Sequence, residues 1–195
     1  MARLFGVTAA AIAILTLGTF THARPPISYQ AFMSGPAESP TNASPGTGYG
    51  TVDVDTTTHM WHLHATFSGL TGTTTASHIH SPTPAPFTST AGVATTTPSF
   101  ALFPLGVSSG TYDNTLDMTQ SSSYNPAYVS ANGGTTTSAE LALASQIAIG
   151  EAYWNIHSTT FGGGEIRGFL IPIPEPACAA VLGAFGLIAL RRKQR

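Results

Sequence analysis

The segment TASHIHSP places His78 and His80 two residues apart, and it is the part of the chain best suited to chemistry. Side chains two apart on a β-strand point to the same face, so these two imidazoles would lie side by side. A third histidine, His157, ends the segment YWNIH, in which polar and apolar residues alternate. Three imidazoles from two strands could bind copper or zinc and leave one coordination position open.

The same histidines also have a purely architectural interpretation. In GGGEIRG, Arg167 is the only basic residue between positions 25 and 171, and we expect it to bind a carboxylate or backbone carbonyls. His78 and His157 could donate hydrogen bonds to backbone carbonyls or to Glu165. The sequence favours this second alternative over a metal site. The polar cluster would tie strands together and would consist of His78, His80, Asn155, His157, Glu165 and Arg167.

A second pair of histidines, His62 and His64, occupies another predicted strand, on the face turned away from the core. A four-residue turn before this strand would put Asp53 beside His62. Two imidazoles and a carboxylate could hold Zn²⁺ or Cu²⁺. Exposed groups of this kind are more often simply solvated, and the sequence favours that interpretation.

No recognised catalytic set accompanies these groups. The sequence has no G-x-S-x-G nucleophile elbow, no H-E-x-x-H zinc motif and no phosphate-binding loop. Asp53 and Asp55 alternate on one strand face as an ordinary solvated edge would, so they do not suggest a glycosidase pair. We therefore expect no enzymatic activity, no catalytic residue and no obligatory cofactor.

The elements that would position the histidines are mostly strands. Alternation and turn residues predict strands at 27–33, 49–55, 60–67, 75–80, 91–97, 99–103, 110–118 and 126–131, and a closing hairpin of 151–158 and 164–171. Residues 138–149 have good helix formers between a Thr/Ser cap and a glycine, and they predict one short helix. Many short strands with Gly/Pro turns indicate an all-β fold, a Greek-key β-sandwich.

The first 23 residues have the composition of an export signal. Arg3 precedes a short apolar run, and the run ends in THA, with small residues around a polar one. This order predicts a signal peptide at 1–23 that is cleaved after Ala23.

The C-terminal segment, 172–195, has three parts in a fixed order. Pro174, Glu175 and Pro176 precede an apolar run at 177–190 and the basic end RRKQR. Fourteen helical residues rise about 21 Å, which is short of the roughly 30 Å hydrocarbon core. The order resembles the PEP-CTERM sorting signal of Gram-negative bacteria. That resemblance implies transient anchoring in the inner membrane, processing near 174–176 by an exosortase-type enzyme, and delivery to the cell surface or extracellular matrix.

The body of the chain between these ends, 24–171, is acidic and sparsely charged. Its two basic residues against eight acidic ones give a formal charge of −6, with no lysine. Such a surface cannot neutralise phosphates, so nucleic-acid binding is excluded. The one cysteine, Cys178, lies in the sorting segment, and the body must rely on its apolar core rather than on a disulfide.

Five segments of this body follow one another as in the chordin-type (CHRD) domain family. They are ISYQAFMSGPAESP, GYGTVDVDTTTHMWHLHATFSGLTG, ASHIHSP, SGTYDNT and EAYWNIHSTTFGGGEIRGFL. The resemblance spans roughly residues 27–171 and implies an immunoglobulin-like barrel, more distantly similar to the copper–zinc superoxide dismutase fold. The family has no settled biochemical activity.

Three features argue against dismutase activity itself. The body has no disulfide, no further His/Asp cluster for the zinc that accompanies copper, and no Lys/Arg-lined approach for superoxide. We therefore expect an exported structural or adhesive protein that meets envelope proteins or exopolysaccharide through Thr-rich faces and through loops 34–48 and 81–98. A copper- or zinc-binding or redox-related protein is the alternative.

Overall fold

The computed structural model describes residues 25–174, and this part of the chain is mostly β-structure. The predicted signal peptide, and the sorting segment from Glu175 onward, lie outside the described residues. The elements follow in the order β1 (Ile27–Ser34), β2 (Thr47–Asp55), β3 (Met60–Ser68), β4 (Thr74–His80), β5 (Gly110–Asp117), α1 (Pro126–Ala131), α2 (Thr136–Ala148), β6 (Tyr153–Ser158), β7 (Ile166–Phe169) and β8 (Ile171–Pro172).

The strands form one antiparallel sheet in the order β4-β6-β7-β1-β2-β3-β5, with β8 paired to β1. The alternation in β2 matches the two faces of the β2–β3 hairpin, because Val52 and Val54 are buried while Asp53 between them is only half-buried. Its register pairs Asp53 with His62, as the sequence predicts. The closing hairpin is also confirmed, with Asn155 opposite Arg167.

The sheet must curl, because β3 and β4 are consecutive in the chain but five positions apart in the sheet. Five strand spacings in a flat sheet would cover about 24 Å. The link from Ser68 to Thr74 has six steps and reaches about 20 Å at most. Segment 99–108 closes the gap between the two edges. Its Val107 carbonyl accepts from Thr74 N at 2.8 Å, and its Ser108 carbonyl accepts from Leu70 N at 3.1 Å.

The core fills the inside of this curl. Fully buried apolar side chains come from strands on both halves of the sheet, among them Trp61, Leu63, Ile79, Trp154, Ile156 and Ile166. Helix α2 closes one side with Leu143 and Ile147. Its Glu140 carboxylate is buried too, and it accepts hydrogen bonds from Trp61 Nε1 at 3.2 Å and from His59 Nδ1 at 2.6 Å.

The all-β class is confirmed, but residues 25–174 contain two α-helices where the sequence predicts one. Residues 126–131, predicted as a strand, form α1. Asn125 caps this helix by accepting from Ala127 N, and Pro126 occupies its first turn, where a missing N–H costs nothing. Residues 91–97 make isolated bridges only, and 99–103 form no strand. No helix within residues 25–174 is both long and apolar enough to span a membrane.

Candidate metal centre

A second buried layer, made of polar side chains, lies on the face of the sheet opposite the core. On β6, Trp154 and Ile156 enter the core, so Tyr153, Asn155 and His157 project to the other side. The register then aligns side chains across strands: His80 with Tyr153, His78 with Asn155, Ala76 with His157, and Asn155 with Arg167. Loops at 35–42, 85–98 and 159–164 cover this layer.

His78, His80 and His157 come together within the layer. One ring nitrogen from each lies within 4.8 Å of one from each of the others. Three points at such separations fit within a circle of radius about 2.8 Å (4.8 divided by √3), which exceeds the metal–nitrogen bond length of about 2.0–2.1 Å by about 0.7 Å. Small shifts of the imidazoles would therefore bring all three nitrogens onto one ion.

The outer nitrogen of each imidazole is bound to a backbone carbonyl. His78 Nε2 bonds to Pro98 O at 2.7 Å, His80 Nδ1 to Ala91 O at 2.9 Å, and His157 Nδ1 to Gly162 O at 3.0 Å. A carbonyl can only accept, so each of these nitrogens carries the proton. In a neutral ring the other nitrogen then presents a lone pair. Metal-ligating histidines have this arrangement, with a carbonyl fixing the tautomer and the ring orientation.

Burial keeps the three rings neutral. Desolvation lowers the pKa of His78 and that of His157 below their usual value, and it lowers the pKa of His80 to about 4. The backbone carbonyl at each ring opposes the shift without cancelling it. At neutral pH the cluster therefore has no protons on its inner nitrogens, which is the state that a metal requires.

The inner nitrogens have no hydrogen-bond partner within residues 25–174. They are His78 Nδ1, His80 Nε2 and His157 Nε2, and all three are shielded from solvent. Each unpaired buried acceptor costs about 1–3 kcal/mol. A metal ion at their common centre would remove all three costs at once.

Arg167 and Tyr153 form the wall of the cluster next to His80. The Tyr153 ring stacks on His80, with ring centres 4.9 Å apart and planes 7° from parallel. The Arg167 guanidinium lies 4.6 Å from the Tyr153 ring centre. Arg167 donates to two loop carbonyls, Ala37 O at 2.6 Å and Ser89 O at 2.9 Å, which fits the carbonyl partners expected of it.

Glu38 and Asn155 both lie beside Gly164. A Cβ on Gly164 would lie 2.7 Å from both Glu38 Oε1 and Asn155 Oδ1, so only glycine fits there. Burial raises the pKa of Glu38 to about 7, although Arg167 Nε lies 3.8 Å from the carboxylate and opposes the shift. Nothing in the sequence singles out Glu38, because Arg167, its ion-pair partner, is distant in the chain.

Glu165 lies apart from the histidines. It precedes β7, and its carboxylate accepts from Ser44 Oγ at 2.6 Å and from the backbone N–H groups of Thr71 and Gly72. It therefore ties the β3–β4 link and the loop after β1 to the start of β7. The structure brings together the other five members of the predicted polar cluster.

The second pair of histidines lies on the exposed face of β3. His62 Nε2 and His64 Nδ1 each lie 3.0 Å from a different oxygen of Asp113, and Asp53 Oδ2 is 3.7 Å from His62 Nδ1. The hydrogen bonds from His62 and His64 lower the pKa of Asp113. Asp113 was absent from the sequence prediction, because nothing in the sequence places β5 beside β3. Within residues 25–174, the ligand atoms of His62, His64 and these two aspartates do not form a group close enough to hold a metal ion.

The chain belongs to the CHRD domain family, whose model matches residues 29–170. Membership indicates an extracellular or secreted β-domain protein. No curated protein and no solved structure matches the chain.

Proposed function

We propose that this protein is an extracellular metal-binding CHRD domain that holds one copper or zinc ion between His78, His80 and His157. Two observations support this most directly: one nitrogen of each ring lies within 4.8 Å of a nitrogen of each of the others, and one nitrogen of each ring is buried and has no partner among residues 25–174. The outer nitrogens, each bound to a carbonyl, fix the tautomer that the ion needs.

A purely architectural cluster would be built differently. Buried polar groups in stable proteins are nearly always hydrogen-bonded, and an architectural histidine would use both nitrogens or place one in water. Among residues 25–174, no side chain or backbone group pairs with the inner nitrogens. The unpaired nitrogens are therefore better explained by a ligand than by structural support alone.

Metal analysis of the untagged protein tests the proposal. After incubation with Cu²⁺ or Zn²⁺ and extensive dialysis, we expect about one ion per chain in the wild type and a loss of at least tenfold in His80→Ala. The matched control is His64→Ala, which removes a histidine of the same His-x-His spacing from the exposed face and should leave the content unchanged. Substoichiometric metal in the wild type, or equal loss in both variants, would contradict the proposal.

We also propose that the domain acts outside the cell without catalysis, in a structural or adhesive role. Export by the signal at 1–23 and sorting by the PEP-CTERM tail, with exosortase-type processing near Pro174–Pro176, would deliver it to the surface or matrix. Exopolysaccharide or envelope proteins are the expected partners. The outer face of the sheet supports this role, since it exposes the aromatic pair Phe32 and Tyr49, whose ring centres are 5.2 Å apart.

Cell fractionation tests the sorting. We expect the mature protein in the surface or extracellular fraction, with mass spectrometry showing both termini removed. Substitution of Pro174 and Pro176 by Ala should retain the tail and leave the protein in the inner membrane. A cytoplasmic protein with an intact tail would refute the sorting proposal.

A further inference from the structure

We infer that the ion held by His78, His80 and His157 is monovalent copper, Cu(I), bound by three imidazole nitrogens and by no fourth ligand. This inference rests on the proposed metal-binding function and names its ligand. It follows from the charge of the site, its shielding from water and its threefold shape.

The charge of the site favours a monovalent ion. All three ligands are neutral imidazoles, and within residues 25–174 no Asp, Glu or Cys side chain joins their group. Nothing in the group therefore offsets the charge of a bound ion. The charging energy of a buried ion grows with the square of its charge, so a divalent ion costs about four times as much as a monovalent one.

Arg167 adds to this preference. Its guanidinium lies 4.6 Å from the centre of the Tyr153 ring, and that ring stacks on His80 with ring centres 4.9 Å apart, so a positive charge lies near the His80 corner of the site. The field of this charge repels a bound cation, and it repels a divalent ion twice as strongly. The carboxylate nearest to Arg167, Glu38 at 3.8 Å, offsets this charge incompletely because burial favours its protonated form.

Shielding from water removes the usual source of a fourth ligand. Zinc with three protein ligands completes its tetrahedron with a water molecule. The three inner nitrogens have no solvent contact, since the loops and the Tyr153 ring enclose them. Cu(I), with a filled d shell, is stable with three ligands in a plane. A site that offers three donors and excludes water therefore suits Cu(I) better than Zn²⁺ or Cu²⁺.

The centres of the three rings form a nearly equilateral triangle. They are separated by 5.2 Å between His78 and His157, and by 5.7 Å for each of the two pairs that include His80. A triangle of donor rings suits a three-coordinate ion, in which each ligand occupies one corner.

An anaerobic competition experiment tests the inference. Untagged protein is titrated into the coloured bicinchoninate complex of Cu(I) under ascorbate, and loss of colour reports transfer of the ion. We expect transfer of one Cu(I) per chain, which a tenfold excess of Zn²⁺ does not reverse. X-ray absorption at the copper edge of the wild-type complex should show three light-atom neighbours and the near-edge feature of three-coordinate Cu(I).

Two variants locate the ion. His157→Ala, at the most exposed of the three rings, should reduce Cu(I) transfer at least tenfold, whereas the matched control His62→Ala should transfer as the wild type does. Circular dichroism is the check that both variants fold. The X-ray absorption measurement uses the wild type alone and does not depend on the folding of a variant.

The outcomes separate this inference from the proposed function. If neither Cu(I), Cu²⁺ nor Zn²⁺ binds, the metal-binding function fails and the inference fails with it. If Zn²⁺ displaces Cu(I), or if bound copper shows four ligands, the protein is a metal-binding protein and only the inference is overturned.

Discussion

Each of the three clustered histidines presents its two nitrogens to different surroundings, one to a backbone carbonyl and one to the other imidazoles. The His-x-His spacing predicts that His78 and His80 share a face, and the alternation in YWNIH predicts the side on which His157 projects. The carbonyl partners have no sequence signal, because every residue supplies a carbonyl. Sequence reasoning could therefore name the clustered histidines but not their protonation state.

The titration of these residues makes the stability of the metal-free protein depend on pH. His78, His80 and His157 have a lowered pKa in the folded state, so unfolding takes up protons below about pH 6.5, the ordinary value for histidine. We expect the free energy of unfolding to decrease as the pH falls from 7 to 5, as measured by urea denaturation. His80→Gln should reduce this decrease.

Glu38 changes the pH dependence of the unfolding free energy in the opposite direction to the histidines. Its pKa is raised to about 7, so the folded state holds a proton that the unfolded chain releases above about pH 4.5. Its contribution to stability is therefore complete below pH 4.5 and is lost as the pH rises through about 7. Removing it with Glu38→Gln should make the acid-induced loss steeper. An unchanged or shallower slope in that variant would contradict the assignment.

Among the elements, the hairpins β2–β3 and β6–β7 could be predicted because their alternation is unbroken and their turns are marked by Thr and Gly runs. Helix α2 was predicted at 138–149 and begins at Thr136, two residues earlier. The segment PAYVSA of α1 was misassigned because Tyr and Val favour strands. In a segment of six residues, the Asn cap and the Pro at the first helical position outweigh that preference.

Helix α2 depends on one buried carboxylate for its position against β3. Glu140→Ala would leave Trp61 Nε1 without a partner and would remove the contact with His59, so we expect a loss of about 1–3 kcal/mol. Urea denaturation followed by tryptophan fluorescence measures it.

The control for this helix is Leu141→Ala, which truncates a neighbouring side chain that is 60% exposed. We expect a change within about 0.5 kcal/mol for this surface substitution. Equal effects of the two substitutions would show that the Glu140 contacts do not hold the helix in place.

For the molecule as a whole, sequence patterns predict strands more readily than their order in the sheet. Nothing local indicates that β4 pairs with β6 rather than with β3, or that β5 lies beside β3. The short link between Ser68 and Thr74 requires the sheet to curl, but this becomes apparent only once the order is known. For the same reason Glu38, Asp113 and the loops that cover the polar layer could not be placed.

The loops over the histidines contact them through main-chain carbonyls, at Pro98, Ala91 and Gly162, and Arg167 likewise holds Ala37 and Ser89 by their carbonyls. In these hydrogen bonds the loop residues use their backbone carbonyls and not their side chains. Random mutagenesis of positions such as 84–90 should be tolerated so long as the backbone path is kept. A surface protein built in this way can change the chemistry that it shows to its neighbours while its interior stays the same.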